Sequence, residues 1–238
     1  MTNAVVYTSL FPSPRRPLQG LFVSELALAL AGIAGVRVVK PVVAHQNPGE
    51  ILSRTRSYLY GGILPVEAPL SVNVPRFFKG TDARLMALGS RSAFRRACEG
   101  WADVVHAHFA YPDAAAAAIL ASRFALPLVV TVHGSDVNVL AASPTRRRHV
   151  QRALCGAAAV IVVSRDLGRK VANLGVPEER IHHVPNGVDL RKFSPGRRDE
   201  ARTHLGLPAR GRLILAVGNL VPVKAYDRII GALRSAPR

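Results

Sequence analysis

Seven short runs of apolar, mostly β-branched residues recur along the chain, and segments with helical periodicity lie between them. The runs predict strands at residues 4–10, 36–43, 103–107, 128–132, 160–163, 181–184 and 213–217. The remaining periodic segments predict helices at residues 20–34, 82–99, 113–124, 144–155, 165–174, 199–205 and 225–233. Because the runs are continuously apolar rather than alternating, both faces of the strands are expected to be buried, as in a parallel sheet. The alternation of strand and helix therefore predicts a doubly wound α/β fold.

Two stretches depart from this alternation. Residues 44–75 are rich in Pro, Gly and Ser, and their apolar runs at 63–66 and 70–74 predict a short β excursion. Residues 191–198 are polar and turn-rich, which marks a boundary. The strand and two helices predicted beyond that boundary are too few to form a core of their own. We therefore expect a first domain over residues 1–190 and, over residues 191–238, a linker with the beginning of a second α/β domain.

The chain is strongly basic, with 32 Lys and Arg residues against 15 Asp and Glu and a formal net charge of +17. Such a field attracts the phosphates of nucleic acid, of an anionic lipid surface or of a nucleotide, and charge does not choose among them.

The longest apolar stretch, residues 26–36, is shorter than the about 18–20 residues that span a bilayer. The N-terminus lacks the basic region of a secretory signal. We expect Cys98 and Cys155 to be buried thiols in a reducing cytosol.

Histidines follow two neighbouring predicted strands. His106 and His108 lie two residues apart, so their side chains share one face of a strand, and His133 directly follows the next strand. Asp136 is close enough in sequence to orient an imidazole or to bind a hydroxyl. Because ligands of open α/β sheets bind beyond the carboxyl ends of the strands, this pattern favours a binding site. Hydrogen-bonded structural imidazoles and a metal site of the His-x-His type are the alternatives.

Three further strand ends carry residues suited to phosphate. Gly20 opens a helix after a proline-rich loop and would leave helix-start N–H groups open to an anion. Asn186 and Gly187 form a turn signal after a predicted strand. The segment from Gly218 to Lys224 runs from a strand into a helix with an early lysine, without the Gly-Lys-Ser/Thr of a P-loop. Ordinary connecting loops are the alternative at each place.

Taken in order, these segments resemble the motifs of glycosyltransferase family 4, the retaining enzymes of GT-B fold. The matching segments are Asp103-Val-Val-His-Ala-His108, Val129-Val-Thr-Val-His133-Gly-Ser-Asp136, Ala159-Val-Ile-Val-Val-Ser164, Val184-Pro-Asn-Gly-Val-Asp189 and Val217-Gly-Asn-Leu-Val-Pro-Val-Lys224. The resemblance implies two Rossmann-like domains, an N-terminal acceptor domain and a C-terminal nucleotide-sugar domain, with the reaction in the cleft between them.

The resemblance also implies roles for individual residues. His133 matches the acceptor-side histidine close to the reacting sugar, and with Asp136 it is the expected catalytic pair. His108 and Tyr111 are expected to bind the acceptor. Residues expected at the nucleotide-sugar donor are Gly20, Asn186, Gly187, Asn219 and Lys224. Lys224 matches the lysine that neutralises the donor diphosphate, whereas Asn219 replaces the arginine usual in the family.

The function expected from the resemblance is transfer of a sugar from a nucleotide-diphosphate-sugar to a glycan or lipid-linked acceptor, with retention, in cell-envelope or exopolysaccharide synthesis. We expect no cofactor and no metal ion. The family's paired glutamates, Glu-x7-Glu, are not among these 238 residues, so we expect the chain alone to bind nucleotide-sugars weakly and to be inactive. A truncated, non-catalytic acceptor- or partner-binding module is one alternative. A nucleic-acid-binding protein is the other, although the chain has no recognition motif and only 6% aromatic residues.

The predicted helix at residues 82–99 carries Arg84, Arg91 and Arg95 on one stripe. An apolar face that includes Phe94 lies beside the stripe, and Trp101 follows the helix. This pattern is typical of a protein that docks on an anionic membrane surface, here from the cytoplasmic side. A surface helix with solvated arginines is the alternative.

Overall fold

The computed structural model describes residues 1–44, 49, 57–71, 80–138 and 144–235. Its strands are β1 (Asn3–Tyr7), β2 (Gly35–Val39), β3 (Val42–Val43), β4 (Ser57–Tyr60), β5 (Leu64–Glu67), β6 (Leu70–Ser71), β7 (Val104–His108), β8 (Leu128–Val132), β9 (Ala159–Val162) and β10 (Ile181–His183). Within the described residues, eight of them form one sheet in the order β10-β9-β8-β7-β1-β2-β5-β4, and β3 pairs with β6 separately. Every pairing in the large sheet is parallel except that of the edge strand β4 with β5. The predicted α/β fold with a parallel sheet is confirmed.

The helices are α1 (Leu21–Ala31), α2 (Asp82–Cys98), α3 (Ala115–Ala121), α4 (Ser135–Asn138), α5 (Pro144–Cys155), α6 (Arg165–Ala172), α7 (Arg198–His204) and α8 (Tyr226–Ser235). A π-helical turn at Ala110–Ala114 links β7 to α3. Helix α6 begins where the Ser164 hydroxyl accepts a 3.2 Å hydrogen bond from the backbone amide of Leu167, an N-cap that satisfies one free N–H of the first turn.

The large sheet is buried on both faces. Successive residues of β1 point to opposite sides, so Val5 and Tyr7 join one apolar cluster while Val6 joins the other. Helix α2 packs into the first cluster through Phe94, and helix α1 packs into the second through Val23. Two-sided burial explains why the strand sequences are continuously apolar.

The chain separates into two compact units, Met1–Gly187 and Val188–Arg238. In the second unit, the predicted strand at residues 213–217 is wrong: this segment has no regular secondary structure, and Leu215 is 79% exposed. A strand is stable when its backbone groups bond to a neighbouring strand, and the described part of this unit contains no strand. Helices α7 and α8 agree with the predictions for that region.

Two smaller expectations also change. The predicted strand at 36–43 is split into β2 and β3, because Pro41 lacks the N–H that a continuous ladder needs. Residues 72–74 of the predicted run at 70–74 lie outside the described residues. Cys98 is buried as expected, whereas Cys155 is only partly buried. Within the described residues, no helix has both the length and the apolar character needed to cross a membrane.

Candidate functional site

Two imidazoles meet at the carboxyl ends of the adjacent strands β7 and β8. The register of these parallel strands pairs His108 with Thr131, and His133 lies two residues after Thr131, just beyond the end of β8. His108 Nδ1 is 3.0 Å from His133 Nε2, and the two ring planes are within 17° of parallel. One ring nitrogen therefore donates a hydrogen bond to the other. The two strand-end histidines thus form a hydrogen-bonded pair.

His106 lies one alternation deeper in β7. Its Nε2 is 2.7 Å from Thr131 Oγ1, and its ring centroid is 4.5 Å from that of His108. Burial lowers the pKa of His106 to about 4, and the nearby His133 contributes in the same direction. His106 is therefore a neutral, hydrogen-bonded imidazole that supports the ring of His108.

The His133 imidazole is enclosed by aromatic rings. The ring centroid of Phe109 lies 4.7 Å away and that of Phe22, in the first turn of α1, lies 4.9 Å away. Phe109 is buried, whereas Phe22 is 45% exposed. Burial lowers the pKa of His133, an effect that Asp136 opposes, and burial with the neighbouring histidines holds the pKa of His108 well below its usual value. Both members of the pair are therefore neutral at pH 7.

Phe109 has φ 70° and ψ 132°, a conformation that few residues other than glycine adopt. Its backbone amide donates a 2.9 Å hydrogen bond to Thr131 O, and its ring packs against His133 and Phe22. Such strained residues persist where the surrounding contacts fix them, and they cluster at functional sites. The strain at Phe109 places its ring beside the histidine pair.

The Asp136 carboxylate binds backbone rather than an imidazole. Oδ1 accepts hydrogen bonds from the amides of His133 at 3.2 Å and Gly134 at 2.8 Å, and Oδ2 accepts one from Ala110 at 2.9 Å. The side chain is 1% exposed. The expectation that Asp136 orients an imidazole or binds a hydroxyl directly is therefore corrected: it positions the main chain at the ends of β7 and β8.

Asp113 is a site residue that the sequence analysis missed. Its buried carboxylate accepts a hydrogen bond from the backbone amide of Ser9, just after β1. Burial raises the pKa of Asp113 to about 7, the hydrogen bond from Ser9 opposes that rise, and Asp136 adds to it. An aspartate directly before an alanine run has the pattern of a helix start, so nothing in the sequence indicated that Asp113 belongs to the site. The two carboxylates together hold the loops after β1, β7 and β8.

Gly20 must be glycine. It has φ 69° at the start of α1, and a Cβ at this position would lie 2.3 Å from the carbonyl oxygen of Leu10. Because Phe22 contacts His133, the Gly20 turn lies at the same edge of the sheet as the histidine pair. The structure thus brings together Gly20, His108, His133 and Asp136 of the expected site.

The remaining expected site residues are Tyr111, the pair Asn186 and Gly187 at the end of the first unit, and Asn219 and Lys224 in the second unit. The Tyr111 ring packs against His149 at 5.5 Å, and its hydroxyl donates to Asp82 Oδ2 at 3.4 Å, so the side chain faces helices α5 and α2. Asn186 and Gly187 are exposed beyond β10, and Asn219 and Lys224 are exposed in the second unit. Their expected role in donor binding remains a prediction.

The two facing nitrogens of the histidine pair, His108 Nδ1 and His133 Nε2, hydrogen-bond to each other. Across the described parts of the chain, no group of three or more His, Cys, Asp and Glu side chains is placed to hold a metal.

The predicted arginine stripe lies on the exposed face of α2. Arg84 and Arg91, with Arg123 beyond α3, line a groove of about 400 Å³ whose apolar wall includes Leu88 and Ile119. Leu88 is 70% exposed. Arg95 lies 3.9 Å from Glu99 in an exposed ion pair. Phe94, expected on an apolar face open to lipid, is instead fully buried against Tyr7 and Phe124.

The sequence profile of Glycosyltransferase Family 4 matches residues 19–192, a segment that includes the whole strand-end cluster from Gly20 to Asp136. The chain belongs to glycosyltransferase family 4. Over 96% of its length it is 29% identical to TuaC of Bacillus subtilis (strain 168), provisionally named a teichuronic acid biosynthesis glycosyltransferase. Over 58% of its length it is 35% identical to D-inositol 3-phosphate glycosyltransferase of Mycobacterium bovis. The chain spans 61% of the first relative and 30% of the second.

Two solved structures are similar in fold to this chain. Sucrose-phosphate synthase from Thermosynechococcus elongatus superposes with a TM-score of 0.74 at 17% identity, over 99% of this chain and 60% of that one. Anabaena HepE, solved in complex with UDP and glucose, gives a TM-score of 0.63 at 19% identity, over 99% of this chain and 59% of that one. At these identities the likeness establishes the GT-B type of fold.

Proposed function

We propose that the protein takes part in the transfer of a sugar from a nucleotide-diphosphate-sugar to an acceptor hydroxyl, with retention of anomeric configuration, in the synthesis of a cell-envelope or exopolysaccharide glycan. The observation that carries this proposal is the position of His133 between Phe109 and the half-exposed Phe22 at the carboxyl ends of the strands. This is where open α/β sheets bind ligands. Membership of family 4 supplies the reaction class.

In this proposal the residues around His133 hold the reacting sugar and the acceptor, while cations and backbone amides bind the donor diphosphate. Gly20 leaves the first turn of α1 open to phosphate, because its N-cap position carries no side chain. Lys224 opposes the charge that develops on the leaving diphosphate. Asn186, Gly187 and Asn219 complete the donor side, the nucleotide-sugar is a substrate, and no cofactor takes part.

An NMR titration of the 238-residue chain tests sugar binding at the histidine pair. The probes are UDP-glucose and GDP-mannose, each compared with its nucleoside diphosphate, at concentrations high enough to detect millimolar affinity. The ring signals of His133 and Phe22 are expected to shift with a nucleotide-sugar, whereas those of the exposed His183 are not. If no probe shifts His133 while the chain remains folded, the proposal fails. Any glycosylated product formed in the same mixtures is checked for a retained anomer.

The acceptor side of the proposal includes an anionic membrane surface, approached from the cytoplasm. Three arginines line the α2–α3 groove, and the groove residues include no acidic side chain to neutralise them. An exposed leucine and a half-buried isoleucine give the same groove an apolar wall. This combination suits the phosphate and the first methylenes of an anionic lipid. The groove would then hold the protein at the membrane surface in which a lipid-linked acceptor lies.

A further inference from the structure

A second cavity, of about 230 Å³, lies where helices α2, α3 and α5 meet, and we call it the three-helix cavity. It shares Arg84 and Ile119 with the α2–α3 groove. Arg84 of α2 and His149 and Arg152 of α5 line it, and none of the described lining residues is acidic. Because a water molecule occupies about 30 Å³ in the liquid, the cavity has room for a group much larger than one water. Four small side chains leave this space open between the helices: Ala83, Ala115, Ala118 and Ala153.

The positive charges of the cavity are not neutralised by the protein. Neither Arg84 nor Arg152 forms an ion pair with a described residue. Partial burial lowers the pKa of His149, and the charges of Arg152 and Arg84 lower it further, whereas Asp82 opposes this change. His149 is thus close enough to both arginines to be affected by their charges. An anion held between the three side chains would reverse that effect.

The His149 imidazole is held at the edge of the cavity by contacts on two sides. The ring centroid of Tyr111 lies 5.5 Å from that of His149. The backbone of Gly80 approaches on another side, since a Cβ at that glycine would lie 3.2 Å from His149 Nε2. The Tyr111 hydroxyl donates to Asp82 Oδ2 at 3.4 Å. The ring is therefore placed by packing before any ligand arrives.

We propose that the three-helix cavity is a phosphate-binding site in which Arg84, His149 and Arg152 together hold one phosphate group. Guanidinium groups form paired, charge-assisted hydrogen bonds to phosphate oxygens, and an imidazole N–H adds a third donor group. The alanine wall leaves room for the atoms to which the phosphate is attached. The ligand class is therefore a phosphomonoester, carried by a soluble sugar or by a lipid.

The place of the cavity assigns this phosphate to the acceptor rather than to the donor. Tyr111 contacts His149, and Phe109, two residues earlier in the chain, contacts His133. One short segment thus links the cavity to the strand-end site. Gly20, a residue expected at the donor phosphates, precedes α1 and is not part of the cavity. The assignment to the acceptor rests on the proposed function, whereas phosphate binding itself does not.

An NMR titration of the full 238-residue chain with inorganic phosphate tests the site. Sodium chloride keeps the ionic strength constant, and the pKa of His149 is measured with and without phosphate. Phosphate is expected to raise the pKa of His149, because the anion offsets the charges of the two arginines. The signals of His183, which is exposed outside the cavity, report general attraction of anions to the basic surface. An unchanged pKa of His149 at concentrations that detect millimolar affinity, or equal responses of both histidines, overturns the proposal.

Three variants separate a built site from net charge. Arg152→Gln is expected to weaken phosphate binding about tenfold, the loss of one charge-assisted hydrogen bond. Arg147→Gln is the matched control, because it removes the same charge from the opposite side of α5, two residues before His149. Ala115→Leu fills the cavity while keeping every charge, so binding is expected to be lost. Equal effects of the two arginine variants contradict the site, and they decide the question if Ala115→Leu does not fold.

Three further probes identify the source of the phosphate. Glucose 1-phosphate represents a soluble sugar phosphate, and dihexanoyl phosphatidic acid represents a lipid phosphate, so the tighter of the two at His149 identifies the source. UDP is expected to bind at His149 no more tightly than inorganic phosphate does. Tighter binding of UDP would assign the cavity to the donor diphosphate and overturn its assignment to the acceptor.

The phosphate titration at His149 and the nucleotide-sugar titration at His133 fail independently. A response of His149 to phosphate without a nucleotide-sugar response at His133 leaves a phosphate site and removes the proposed function. A response at His133 with none at His149 removes the present inference and leaves the proposed function standing.

Discussion

The backbone amide of Ala110 donates a 2.9 Å hydrogen bond to Asp136 Oδ2, and this single bond ties the end of β7 to the end of β8. The other carboxylate oxygen binds the amides of His133 and Gly134. The segments that carry Phe109 and His133, just after β7 and β8, are thus fixed to each other by one buried side chain.

Replacing Asp136 with alanine is expected to lower the free energy of unfolding by roughly 3–5 kcal/mol, because three amides lose their acceptor and each buried, unsatisfied group costs about 1–3 kcal/mol. Asp136→Asn keeps one acceptor oxygen and is expected to lose less. Urea denaturation followed by the fluorescence of Trp101, the single tryptophan, measures the change in the first unit. Asp166→Asn, at an exposed ion pair with Lys170, is the control and is expected to leave the urea midpoint nearly unchanged. Equal urea midpoints for Asp136→Ala and wild type would contradict the role of Asp136.

Gly20→Ala is expected to destabilise the protein far more than Gly100→Ala. Both glycines have a left-handed backbone, with φ 69° and 65°, so each alanine carries the same strain of about 1 kcal/mol. At Gly20 the new Cβ would also meet the Leu10 carbonyl at 2.3 Å, whereas at Gly100 it meets nothing within 4 Å. Thermal unfolding of the two variants isolates the clash. Similar melting temperatures would show that the Gly20 loop can move away from Leu10.

Asp113 is expected to make stability depend on pH. Its pKa is raised to about 7 in the folded state, so between its ordinary value of 3.8 and about 7 the folded protein binds a proton that the unfolded chain releases. The stability from this group is fully present below pH 3.8 and is lost as the pH rises through 7. Asp113→Asn stays neutral and still accepts the Ser9 amide, so its stability relative to wild type is expected to rise by roughly 2–3 kcal/mol from pH 5 to pH 8.

Urea denaturation of both proteins at four pH values from 5 to 8 measures this difference. His106 and His108, whose lowered pKa values destabilise the fold as the pH falls below 6.5, are present in both proteins, so their contributions cancel. A difference that stays constant over this range would mean that the Asp113 carboxyl does not titrate there.

Membrane docking is expected to depend on the arginines of the α2–α3 groove. The wild-type chain should sediment with vesicles that contain phosphatidylglycerol, but not with neutral phosphatidylcholine vesicles, and added salt should release it. Replacing Arg84, Arg91 and Arg123 with Gln should reduce binding at least tenfold, since each basic residue near the surface contributes about 1 kcal/mol. In the matched control, Gln replaces Arg197, Arg210 and Arg212. These arginines are exposed in the second unit, so the two triple variants lose the same total charge. Equal loss in the two triple variants would assign the binding to net charge.

The sheet and the histidine pair could be predicted because both follow from local patterns. Continuous apolar runs indicate buried parallel strands, and the carboxyl ends of neighbouring parallel strands meet at one edge, which brings His108 to His133. The prediction of a strand at residues 213–217 was wrong, because it used local β propensity alone. Its β propensity is local, but a strand forms only with a partner, and pairing depends on residues distant in sequence.

The parts of the site that were missed have sequence patterns with a more ordinary meaning. Phe22 looks like a core residue in the first turn of an apolar helix, yet it is half exposed and contacts His133. Asp113 looks like a helix start. Asp136 was recognised as a site residue, but its three backbone partners could be identified only once the loops had been placed, because a carboxylate serves equally well as a main-chain acceptor, a ligand contact or a partner of an imidazole.

The two phenyl rings beside His133 differ in how well they tolerate substitution. Phe109 is buried and holds a strained backbone in place, so a smaller residue there would disturb the strand ends themselves. Phe22 is half exposed on the surface of a helix, and shortening it would widen the space before the imidazole without opening a cavity in the core. Phe109, which must be kept, and Phe22, which can be replaced, therefore lie on separate elements. Phe22 is therefore the position at which the space beside His133 can be enlarged with the least effect on the fold.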